Sequence, residues 1–251
     1  MNWIKRTANG FALPGTRLSG SRANRLVAVV LAVLSCLAMP ACKRAADAGK
    51  TGEQPPQAAQ KSGAQARGED TLVQRAASSC RQRIQEAATE HAGNAKRVQE
   101  AKVLDMKEVT RREQLETKRE VVRKFLASNE ALKSLLVNEE AALTEELANL
   151  IVSPARIASE RKGFQSGIRG KAVTIGMREA DQRLGNSLLG ALDFLDEIWG
   201  QWNYDKVYER VQFSPPGALK KYNEFMEAIE VASREQTELQ EQLKPQGNPG
   251  P

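Results

Sequence analysis

From Thr71 to Leu243 the apolar side chains recur at steps of three and four residues, and nowhere does the chain carry a continuous β-branched alternation. That spacing lays one apolar stripe along each helix and gives a sheet no face to bury. It predicts an all-α chain, with a long helix and a helical hairpin packed into an elongated helical bundle. A charged fraction of 27% with only 5% aromatic residues agrees with this reading.

Taken in order, the stripe predicts helices at about 71–127, 129–152, 154–166, 177–200 and 215–243, together a helical domain over 71–243. The first carries a seam of mostly small residues at coiled-coil spacing: Val73, Ala77, Cys80, Ile84, Ala87, His91, Asn94, Val98 and Ala101. The seam turns polar at Asp105, Glu108 and Arg112, while Leu104, Val109, Leu115, Val122 and Leu126 move the buried face around the helix. Such a shift favours packing on the same chain over a long uninterrupted dimeric coil. Glu108 with Arg112 and Glu120 with Lys124 are expected to pair across one helical turn. Ser128 and Asn129, both capping-type residues, are expected to interrupt, after which Leu132, Leu136, Leu143 and Leu147 restart a stronger stripe. Residues 71–124 hold 13 basic and 8 acidic side chains against 1 and 5 in 125–150, an asymmetry that suits an antiparallel hairpin. Ser153-Pro154 and Ser214-Pro215-Pro216 read as helix starts. Glycines at 163, 167, 170 and 176 read as fraying, or as a surface of close helix approach.

The segment before this domain has a different character. Leu26 to Met39 is an apolar run preceded by Lys5, Arg6, Arg17, Arg22 and Arg25 with no acidic residue, and it closes on Ala41-Cys42. This is the layout of a secretory signal with a lipoprotein-type end, which makes 1–41 a signal peptide and Cys42 the acylated residue. Cys36 competes for the modification, and retention of the run as an anchor is the alternative to cleavage, although the run is short for a stable span. Residues 42–70, rich in Ala, Gln, Gly and Pro, are expected to form a disordered tether, and 244–251 a disordered tail. The formal charge of +6 belongs largely to the signal, since its removal leaves +1, and nucleic acid is not an expected partner.

Chemistry is sparse. The single histidine, His91, stands eleven residues from Cys80 on the same helix, roughly 16 Å along its axis, too far for a nucleophile pair. No spacing suits a zinc site, and Gly170-Lys171 lacks the upstream glycine and the following hydroxyl of a phosphate loop. No metal, cofactor or catalytic residue is expected, and the chain is read as a non-enzyme. Eight of its twelve aromatic residues fall between Phe194 and Phe225. They are expected to form the main core, with Trp199, Trp202, Tyr204 and Tyr208 as the candidate ligand-binding side chains for a lipid or cell-wall fragment. Cys80, the lone thiol of the helical domain, is the candidate for an intermolecular disulfide should the chain self-associate.

At Gln212-Phe213-Ser214-Pro215, with Ala218 and Tyr222-Asn223 following, the chain resembles a bacterial helical lipoprotein family of unknown function typified by YiaF. The family pattern has Gln-Phe-Pro followed by Tyr-Asn, and an extra serine stands before Pro215 here. The resemblance implies an all-helical envelope protein held to a membrane through a lipid anchor, and no catalytic residues. Lys43 in place of an aspartate after the modified cysteine favours the outer membrane under the sorting rule of enteric bacteria. The expected function is therefore a membrane-anchored helical interaction or scaffolding module facing the periplasm.

Overall fold

The computed structural model describes residues 57–150, 152–165 and 168–243. The signal segment, Cys36, Cys42 and the C-terminal tail lie outside the described residues. Five helices and a two-stranded hairpin follow one another: α1 (Gln57–Glu100), α2 (Arg112–Ala148), α3 (Pro154–Gln165), α4 (Ile168–Glu197), β1 (Trp202–Asp205), β2 (Arg210–Phe213) and α5 (Ala218–Leu243). The all-helical architecture read from the sequence is the architecture of the chain, with one small sheet added.

The long helices alternate in direction. His91 of α1 faces Ser128 of α2, Lys133 of α2 pairs with Glu179 of α4, and Arg183 of α4 pairs with Glu235 of α5. With 44 residues at 1.5 Å each, α1 is roughly 66 Å long and is the longest of the described helices. All four long helices share a core at one end, where Val98, Leu115, Phe125, Leu188, Leu192 and Ile229 are buried together. At the other end α1 and α2 pack as a pair around Val73, Ala77, Cys80, Leu143 and Leu147, covered by Ile157 of α3. We call the first end distal and the second proximal, where α1 begins.

Several expected boundaries move. The helix expected over 71–127 ends at Glu100, and a turn through 101–111 reverses the chain. Lys102 takes a left-handed conformation (φ 44°), and Lys118 donates from Nζ to the carbonyls of Ala101 and Lys102 at 3.0 and 2.8 Å, satisfying acceptors at the helix end. The turn buries Val103, Leu104 and Met106, so it looks like continued helix in the sequence. Gln114 Oε1 then accepts from the backbone of Thr110 and Arg111, holding the start of α2. Ser128 and Asn129 do not interrupt; they lie inside α2, buried at 5% and 0% exposure. Helix α4 begins at Ile168 rather than 177, and a Cβ at its Gly176 would stand in ordinary contact with Leu239 of α5, at 3.5 Å. The last helix starts at Ala218 rather than 215, because Pro216 disfavours helical geometry at Pro215 and Gly217 is left-handed (φ 82°). Finally, residues 57–70, expected to be disordered, are helical within α1.

Candidate functional site

Two places concentrate chemistry. The first is a polar node inside the four-helix stretch. His91 is 1% exposed, with Nε2 at 3.1 Å from Asp181 Oδ2 and Nδ1 at 3.4 Å from Ser128 Oγ, and its ring stacks at 5.1 Å on Phe125. Asp181 also accepts from Gln236 Nε2 of α5 and lies 3.0 Å from Arg178 Nη2. Asn129 donates from Nδ2 to the Arg178 carbonyl at 2.8 Å. One carboxylate thus ties together α1, α4 and α5, with α2 joined through Ser128 and Asn129. Burial pushes the Arg178 guanidinium down from its ordinary value, and the neighbouring Asp181 charge opposes that shift.

Ser128, His91 and Asp181 stand in the order of a Ser-His-Asp relay, a constellation the sequence reading missed because it sought a partner for His91 only on its own helix. The three come from α2, α1 and α4, separated by 37 and 90 residues, so no local spacing could reveal them. Their setting is structural. The Ser128 hydroxyl donates to the Phe125 carbonyl of its own helix at 3.0 Å, and all three side chains are almost wholly enclosed, which leaves no approach for a substrate carbonyl.

The second place is the distal end, where most of the aromatic residues gather. Trp202 donates from Nε1 to the Leu195 carbonyl at 2.8 Å and meets Trp199 edge to face at 5.5 Å. Phe213 lies between Phe194 at 6.1 Å and Tyr222 at 5.3 Å, and Lys221 Nζ sits 4.7 Å over the Phe194 ring. Burial pushes the Tyr222 phenol up to about 12. Trp199, Trp202 and Tyr204 pack against the main core. Of the four aromatic ligand candidates, only Tyr208 stands free of that core, 66% exposed.

Tyr208 lies at the tip of the β1–β2 hairpin, a feature the sequence reading did not anticipate. Trp202 pairs with Phe213 and Tyr204 with Val211, so one face packs inward while Asn203 and Gln212 face out. Asp205 fixes the tip: its Oδ1 accepts from the backbone N–H of Val207 and Tyr208 at 2.9 and 3.1 Å, and its Oδ2 accepts from Gln212. Glu209 takes the left-handed position (φ 47°), and Arg210 stacks 5.0 Å over the Tyr208 ring. The result holds Val207 outward at 83% exposure beside Tyr208. A shallow depression of about 300 Å³ adjoins the base of the hairpin, lined by Gly200, Trp202, Asn203, Gln212, Phe213 and Ser214.

Cys80, the candidate for an intermolecular disulfide, is 4% exposed under α2, and its Sγ accepts from Arg83 Nη2 at 3.3 Å. Enclosed in this way, it could reach a second copy only if the α1–α2 interface opened, and burial also pushes its thiol up. Among the described residues no helix is long and apolar enough to cross a membrane, and no group of three or more His, Cys, Asp or Glu side chains is placed to hold a metal ion.

The geometry defines a class: an up-and-down bundle of four long helices with a β-hairpin at one end. Comparison with family models, with curated proteins and with solved structures finds no match to this chain.

Proposed function

We propose that the chain is a non-catalytic interaction module of the cell envelope, anchored on its N-terminal side by acylation of Cys42 and presenting its β-hairpin to a partner. One observation carries this reading. Val207 and Tyr208, adjacent and exposed, stand at the end of the bundle opposite the start of α1, a helix roughly 66 Å long. A signal-type N-terminus on one side and an apolar tip on the other give the chain a tethered end and a presenting end. The resemblance to helical envelope lipoproteins at Gln212 to Asn223 points the same way. Enclosure of the Ser128–His91–Asp181 group supports the absence of catalysis. The carrier reading draws less support, because the rings of Trp199, Trp202 and Tyr204 are already engaged by the core.

Two measurements test the two halves separately. The intact mass of the mature protein should show a chain beginning at Cys42 with a diacylglyceryl-plus-acyl increment that Cys42→Ser abolishes; a plain polypeptide mass that still includes residues 1–41 would overturn the anchor. A photo-crosslinking residue at position 208 should capture a discrete envelope component in cells, and Val207→Asp should abolish capture while leaving helicity unchanged. Equal capture from position 137, an exposed valine on α2, would overturn the hairpin as the docking end.

A further inference from the structure

The buried node holds more polar atoms than its own bonds use. Arg178 is 0% exposed, yet its Nε, Nη1 and Nη2 make no hydrogen bond; Nη2 approaches Asp181 Oδ2 at 3.0 Å, close enough for an ion pair but outside hydrogen-bonding angles. Asn129 Oδ1, Gln236 Oε1 and Ser233 Oγ, on side chains between 0% and 6% exposed, are equally without a hydrogen-bond partner. The Asn129 and Gln236 side chains neighbour Arg178, because Asn129 reaches the Arg178 backbone and Gln236 reaches the same carboxylate as Arg178. We infer that this node is a binding site for internal water, which bridges the Arg178 guanidinium to the amide oxygens of Asn129 and Gln236.

The balance of donors and acceptors selects the guest. The guanidinium offers only N–H donors and the two amide oxygens are only acceptors, so the guest must both accept and donate. A halide accepts but cannot donate, and it would face the Asp181 carboxylate together with two amide oxygens. A metal cation would face the guanidinium. Water meets both demands, and buried water commonly makes about three such bonds.

Water-proton or deuteron relaxation dispersion on the full chain tests the inference. The expected result is a long-lived water component that falls in Arg178→Met and in Gln236→Leu. Should Arg178→Met lose its helical content, Gln236→Leu decides alone. The inference is overturned if the wild-type chain lacks such a component, if the component survives in the folded variants, or if bromide displaces it and thereby identifies an anion site.

Discussion

Asp181 takes hydrogen bonds from α1 and α5 and balances a fully enclosed guanidinium on its own helix, so its loss should be felt far beyond its size. Asp181→Ala leaves Arg178 buried and uncompensated, and should destabilise by about 3–5 kcal/mol in urea unfolding. Arg178→Met combined with Asp181→Leu should recover most of that loss, because the charge and its counter-charge leave together. A second carboxylate makes stability depend on pH. Asp196 is held below its ordinary value of 3.8, first by its hydrogen bond from Arg112 and further by the Arg112 and Arg119 charges. A depressed carboxylate contributes fully above 3.8 and loses its contribution as pH falls through its lower value in the folded protein. Asp196→Asn should therefore melt earlier than the native chain at pH 5, and the gap should close at the acid end of a thermal series. At this scale little of the node was legible in advance. Ser128 and Asn129 read as helix interrupters because their side chains compete locally for backbone bonds. Here Asn129 spends its amide on the Arg178 carbonyl, 49 residues away, and burial inside the bundle overrides the local preference.

At the scale of elements the glycines divide by what faces them. A Cβ at Gly190 would stand 2.6 Å from the Phe225 ring, and one at Gly185 would stand 2.5 Å from Leu126, so α4 approaches both neighbours through these two positions. Gly190→Ala should gain about 1 kcal/mol of helix propensity and lose about 1–3 kcal/mol to overpacking, a net destabilisation in thermal melts. Gly93→Ala, two turns before the end of α1 with nothing within 4 Å, should instead stabilise by about 1 kcal/mol. Trp202→Ala removes the edge contact with Trp199 and the bond to the Leu195 carbonyl, and should cost about 3 kcal/mol with loss of near-ultraviolet dichroism. The leucine stripe of α2 was readable, and Leu132, Leu136, Leu143 and Leu147 are all buried. The turn at 101–111 was not, because its closing cation comes from Lys118, and because Val103, Leu104 and Met106 are as apolar as a helix core. The hairpin did leave a signal: Trp202 and Tyr204, then Val211 and Phe213, alternate with polar residues. At four residues each, the strands are too short to stand out among helices.

The described bundle is thick at one end and thin at the other. The distal stretch buries Phe125, Leu184, Leu188, Leu192 and Leu195 among four helices, whereas the proximal pair closes on alanines, Val73 and Cys80 with two leucines opposite. Hydrogen exchange should accordingly be faster at 73–83 and 139–148 than at 184–195, since small side chains bury less area to oppose local opening. Equal protection along the rod would contradict that gradient. The alternating helix directions also decide how the chain carries load. If a pull is applied between the start of α1 and the hairpin tip, it runs along the helix axes, sliding α1 past α2 and loading their side-chain contacts together. An antiparallel pair pulled in shear yields only when many contacts fail at once, whereas a pair peeled from one end yields turn by turn. A molecule held at one end and gripped at the other would therefore behave as a tie that withstands tension.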